Sequence, residues 1–118
     1  MNDDSPTRVH RSWGWYDSLD RGEYFRIRRI VVNPRGLLSP RTNNHRTRRW
    51  IVVQGTAKVR VGERTMTLQD DESVLIPHRE RYGLANVGPN PLEIIEIQVG
   101  WHPREDDVAW LEDGYGSD

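Results

Sequence analysis

Between positions 21 and 49 the chain carries nine arginines, at 21, 26, 28, 29, 35, 41, 46, 48 and 49, against a single acid, Glu23. That is a local charge of +8 in a chain whose net charge is −1. A planar guanidinium fork matches the edge of a phosphate or a carboxylate and grips it without a metal. On an extended segment side chains alternate, so Arg46 and Arg48 share a face that Arg49 opposes, and at most two or three of these arginines point into one interior. The same alternation puts Glu96 and Gln98 on one face of a late strand, as a polar floor or as groups bridged through water to neighbouring strands. With Cys 0 there is no thiol nucleophile, no disulfide and no thiolate metal site, so a metal would need His, Asp or Glu. His10 and His102, near the ends, and His78, beside a proline, read as surface residues. Of the 17 basic residues only Lys58 is a lysine, which a GC-rich genome explains, as does a need for planar forks.

The elements that hold these groups are strands. Val and Ile total 18 and Ala totals 3, a balance that favours pleated structure. Turn chemistry at 33–36, 54–56, 61–63, 69–71 and 87–91 divides the chain into candidate strands at 24–32, 49–54, 57–61, 64–68, 73–76, 83–86 and 92–99. Short strands at this spacing indicate an all-β antiparallel sandwich or barrel. A weak helical signal, Asp106 and Asp107 ahead of Val108, Trp110 and Leu111, lies near the C-terminus. Residues 1–9 read as a disordered arm and 10–118 as one domain ending in an acidic extension, where residues 105–118 hold six acids and no base. The tail and the net charge disfavour nucleic acid as a partner. No apolar run is long enough to cross a membrane and no signal region opens the chain, so the expectation is a cytoplasmic protein. The five tryptophans either stack on a ring-shaped ligand or, the plainer reading, brace a small barrel and a dimer contact.

Six ordered blocks carry a resemblance. They are Arg11-Ser12-Trp13-Gly14-Trp15-Tyr16, Arg29-Ile30-Val31-Val32-Asn33-Pro34, Trp50-Ile51-Val52-Val53-Gln54-Gly55-Thr56-Ala57 and Glu72-Ser73-Val74-Leu75-Ile76-Pro77. A fifth runs from Pro91-Leu92-Glu93 to Gln98-Val99-Gly100, and the last joins Glu105-Asp106-Asp107-Val108 to Glu112-Asp113-Gly114-Tyr115-Gly116. Together they resemble the cupin module of type II mannose-6-phosphate isomerases, the C-terminal part of bifunctional mannose-1-phosphate guanylyltransferase/isomerases. The resemblance implies a cupin double-stranded β-helix, a jelly-roll barrel with its site in the mouth, and a homodimer.

It also implies positions for a divalent metal, and this chain departs from them. Anchored on Gly55, the paired His positions are Asn43 and His45 and the Glu position is Arg48; anchored on Pro77 and Asn86, the fourth ligand position is Tyr82. A guanidinium beside a dication in a half-buried barrel is repelled by several kcal/mol at an effective dielectric of ~20. The expectation is therefore a site with no metal and no other cofactor. Arg48, with Asn43, His45, Tyr82, Arg41 and Gln98, would bind a small anion such as a sugar phosphate, with Arg46, Arg79 and Arg81 near the same two loops. An isomerase would need a base, for which His45 or Glu96 is the candidate, and Arg48 would replace the metal as electrophile. The family's two tail arginines are Trp110 and Ser117 here, which counts against that activity. Three classes follow: a metal-free sugar-phosphate-binding cupin that is a sensor or the partner of a separate nucleotidyltransferase, an isomerase with altered chemistry, and a structural or assembly module whose mouth is filled by side chains, with Arg48 in a salt bridge to Glu96 or Glu80.

Overall fold

The computed structural model describes residues 8–42 and 46–100, and within them the chain forms strands and no helix. In chain order they are β1 (Val9–Arg11), β2 (Gly14–Arg21), β3 (Phe25–Val32), β4 (Leu37–Thr42), β5 (Thr47–Gln54), β6 (Ala57–Val61), β7 (Arg64–Leu68), β8 (Ser73–Ile76), β9 (Arg81–Asn86) and β10 (Leu92–Val99). Two antiparallel sheets result, one ordered β1-β2-β3-β10-β5-β8 and one ordered β4-β9-β6-β7. From β4 onward the chain passes back and forth between the sheets, so both wind around one interior.

Alternation fills that interior. On β10 Leu92, Ile94, Glu96 and Gln98 are buried, and on β3 Arg26, Arg28, Ile30 and Val32 are. Neighbouring strands of the same sheet contribute Trp50, Val52 and Ile76, and the facing sheet contributes Leu38, Ala57, Val59, Tyr82 and Leu84. At one end of the barrel the inward positions are thus aliphatic. At the other, the mouth, they are Arg26, Arg28, Arg48, Glu96 and Gln98. Asn86 closes the aliphatic end: its amide nitrogen donates to the carbonyls of Val32 and Asn90, and its oxygen accepts from the backbone N–H of Gly88.

β6, β7, β8 and β10 occupy the segments expected from breakers and period. β3 starts one residue later than expected, and β5 and β9 each start two residues earlier. β1, β2 and β4 were not expected. β2 is rich in Gly, Asp and Ser, poor strand formers on their own, and is held by its register against β3, from Gly14↔Val32 to Arg21↔Arg26 with a shift between Ser18 and Asp20. β4 contains Pro40 at a bulge between Leu38 and Arg41, on the sheet edge where a missing N–H is tolerated. Arg8 and Val9, assigned to the arm by the sequence, are engaged here. Val9 pairs with Tyr16, and the Arg8 guanidinium donates to both carboxylate oxygens of Asp17 at 3.1 and 3.0 Å. The helical signal at 106–111, the acidic extension and the rest of the arm lie outside the described residues.

Candidate functional site

The mouth is built on three adjacent strands. Cross-strand register places Glu96 of β10 between Arg28 of β3 and Trp50 of β5, and Gln98 between Arg26 and Arg48. Because the side-chain period of a strand is two, all six share the interior face. Arg48 and Glu96 form a buried ion pair, Nη1 to Oε2 at 2.9 Å, and the same carboxylate oxygen accepts from Trp50 Nε1 at 2.9 Å. The other oxygen, Oε1, accepts from Gln98 Nε2 at 2.6 Å. Gln98 in turn accepts a hydrogen bond from Arg46. Tyr82 of β9 supports the group from the opposite sheet. Its ring lies 5.1 Å from the Arg48 guanidinium carbon and meets Trp50 edge-on at 5.5 Å.

Burial alone would raise the Glu96 carboxyl. The charges of Arg48 and Arg28 and the bonds from Trp50 and Gln98 overcome it and hold the group at about 2, against an ordinary value of 4.5. Glu96 is therefore a fixed anion whose two oxygens are occupied by neighbouring donors.

Of the expected site residues, Arg48, Tyr82, Glu96 and Gln98 come together in the mouth. Arg41 is half-buried on β4, with Tyr82 as its Cα partner across the small sheet. Asn43 and His45 lie outside the described residues. Strand parity is as expected at β5, where Arg48 is buried and Arg49 exposed, and Arg46 reaches the same cluster through Gln98. Arg79 and Arg81 are exposed. Sequence reasoning missed Arg26 and Arg28, which are 5% and 3% exposed. The signal was present: both share parity with Ile30 and Val32 on a run whose aliphatic members had to face the core. Arg28 also lies over the Tyr16 ring at 4.8 Å.

Among the described residues the inward groups do not form a donor set for a divalent cation. Among the described residues no three His, Asp or Glu side chains gather, and the one inward carboxylate is already ion-paired. What the inward groups offer is positive charge, three guanidiniums against one carboxylate. At the rim Arg21, Arg26 and Arg46 line a recess of about 30 Å³ together with Glu23, Phe25, Gly22 and Gly100. That holds roughly one water, so a larger ligand must displace rim side chains.

Comparison with known proteins supplies kinship. The family model described as mannose-6-phosphate isomerase C-terminal matches residues 2–113. The chain is 45% identical over 109 residues to the xanthan biosynthesis protein XanB of Xanthomonas campestris pv. campestris, covering 92% of this chain and 23% of that protein. It is 43% identical over 108 residues to the mannose-1-phosphate guanylyltransferase ManC of Salmonella typhimurium, covering 92% of this chain and 22% of that one. The chain thus spans under a quarter of the length of these relatives. Among solved structures the cupin domain of Cnp3 from Schizosaccharomyces pombe superposes with a TM-score of 0.72 at 16% identity, over 81% of this chain and 70% of that one. This likeness identifies the fold as that of a cupin.

Proposed function

The chain belongs to the mannose-6-phosphate isomerase C-terminal family, and from that premise we propose that it is a cupin that binds a sugar phosphate, or a similar small anion, through arginines and without a metal. The observation that carries this reading is the charge of the mouth: among the described residues Arg26, Arg28 and Arg48 face inward and buried beside a single inward carboxylate, Glu96. Guanidiniums gathered at one end of a barrel present positive charge and planar forks that the edge of an incoming phosphate or carboxylate matches. Arg26 and Arg46 at the rim make first contact. Arg48, stiffened by Glu96 and Tyr82, forms the floor. Asn43 and His45, on the segment between β4 and β5, complete the set in this reading.

Glu96 serves as an anchor for Arg48 rather than as a base. A group held at about 2 has little tendency to take a proton from carbon near neutral pH, where an effective base titrates close to the working pH. This weighs against an aldose–ketose isomerisation that uses Glu96. The expected partners enter the same proposal: a homodimer, and a nucleotidyltransferase supplied alongside, since the guanylyltransferase relative holds a matching module within a chain more than four times as long.

Calorimetric titration with mannose 6-phosphate, fructose 6-phosphate and inorganic phosphate, each with and without a chelator, tests the proposal. At least one should bind saturably and equally well in chelator. Arg26→Gln should weaken it by roughly ten- to a hundredfold, the loss of one charge-assisted bond worth ~1.5–3 kcal/mol. Absence of heat with all three, or binding abolished by the chelator, overturns it. Metal-dependent conversion of mannose 6-phosphate to fructose 6-phosphate by the pure protein would establish the isomerase instead.

A further inference from the structure

The outer face of the smaller sheet carries a groove that the mouth chemistry does not use. Its floor is the middle of β9, where the outward residues are Gly83 and Ala85. One wall is β4, with Leu37 and Pro40. The other is β6, with Lys58 and Arg60, and Thr65 of β7 lies beyond it. The floor is low because neither residue has a long side chain, and even a Cβ on Gly83 would meet nothing nearer than 3.7 Å. The groove encloses about 340 Å³, within the ~300–1,000 Å³ range of sites that hold organic groups. Leu37 is 60% exposed on its apolar side, two cations line the other, and no acidic residue lines it at all. A segment suited to it would be acidic and would carry a bulky apolar side chain.

The chain itself contains one. Residues 105–118 hold Glu105, Asp106, Asp107, Glu112, Asp113 and Asp118 with no base, and between the two acidic runs stand Val108, Trp110 and Leu111. The end of β10 and the floor strand β9 meet at the mouth end of the barrel. Gln98 is the Cα partner of Arg48, the Arg48 guanidinium lies 5.1 Å from the Tyr82 ring, and Gly83 follows Tyr82 on the groove floor. Gly100 thus leaves the sheet packed against the one that bears the groove, and packed sheets stand ~10 Å apart. The ten residues from Gly100 to Trp110 reach up to ~33–36 Å when extended, ample to pass the rim and the β4 edge. We propose that residues 105–118 dock in this groove on their own chain, with the apolar residues around Trp110 between Leu37 and Pro40 and the flanking carboxylates against Lys58 and Arg60.

The absence of cysteine makes the test direct, because any disulfide formed is the engineered one. In the full chain, Ala85→Cys combined with Ala109→Cys places thiols on the groove floor opposite Leu37 and beside Trp110 while keeping every charge and the indole. A matched control joins Ala109→Cys to Leu19→Cys, on β2 of the other sheet, where Leu19 is 52% exposed. Under mild oxidation the groove pair should close at least tenfold faster than the control and run as a monomer on a denaturing gel. Adding Lys58→Glu and Arg60→Glu should bring it down to the control rate, and salt near 1 M, where the Debye length is ~3 Å, should slow it. Equal rates for the two pairs, or a groove-pair rate indifferent to charge reversal, overturns the proposal. A disulfide-linked dimer also overturns it, because the segment would then belong to a second copy.

Discussion

At the scale of single residues the decisive group is Glu96, a buried carboxylate facing Arg28, Arg48, Trp50 and Gln98. Its folded-state value, about 2, lies below the 4.5 of the free group, so folding favours the ionised form. The stabilisation is complete above pH 4.5 and is lost as the pH falls towards 2, and the depression corresponds to on the order of 3 kcal/mol. Glu96→Gln keeps the shape but removes the carboxylate that pairs with the buried Arg48, which should cost about 3–5 kcal/mol at pH 7. Urea denaturation across pH then gives a specific pattern: wild type loses stability steeply between pH 4.5 and 2, while the variant starts lower and follows a shallower limb. Parallel limbs would show that Glu96 does not carry the acid dependence. The sequence displayed Glu96 and Gln98 on one face, and Arg48 with them by resemblance. It offered Glu96 or Glu80 as the salt-bridge partner of Arg48, and the structure selects Glu96; the bonds from Trp50 and Gln98 were not legible, because a two-residue period says which face a side chain takes and nothing about its partner. Arg26 and Arg28 were legible by the same rule but were lost in a run of arginines on both faces.

At the scale of elements, strands bounded by turn residues and filled with Val and Ile were readable, while β2 and β4 were not. Their residues are poor strand formers, and pairing across the sheet overrides that preference. The join between β1 and β2 shows how tightly that pairing is made. Gly14 has φ +153°, and a Cβ there would lie 1.9 Å from the backbone oxygen of Val31, on the strand it pairs with. Backbone cannot swing aside as a side chain can. Gly14→Ala should therefore destabilise by about 2 kcal/mol or more and lower the melting temperature by on the order of 10 °C. Gly83→Ala is the matched contrast, since its Cβ meets only ordinary contacts, and it should shift melting by a few degrees at most. Thermal scans by circular dichroism separate the two, and similar melting of both variants would mean that β2 is not clamped to β3 at this point.

At the scale of the whole molecule the mouth end of the larger sheet is inverted. An antiparallel sheet with one wet face normally turns its apolar side inward and its polar side out. Here Arg26, Arg28, Arg48, Glu96 and Gln98 face inward, while the alternate positions on β3, β10, β5 and β8 include Ile27, Ile95, Ile97, Val99, Ile51 and Leu75, interspersed with Arg29, Thr47 and Arg49. Val99 and Leu75 are 50% and 46% exposed. A polar interior explains the inward half of this pattern, and the outward half is where the proposed homodimer would pair. Four strands at ~4.8 Å spacing and about eight residues at ~3.3 Å give a face of roughly 500 Å² in projection. A face of this size is a modest one for a protein interface, so the dimer should be concentration-dependent. Sedimentation equilibrium over a wide range of loading should show monomer and dimer exchanging. A lysine at either exposed position, Leu75→Lys or Val99→Lys, would bury an unpaired charge in the interface and should shift the protein to monomer, with melting at low concentration almost unchanged. Titration with phosphate should leave this equilibrium alone, because the anion enters from the mouth and the partner covers the opposite side of the same strands. A monomer at every loading, or a dimer that survives both lysines, would assign the outward isoleucines to some other contact.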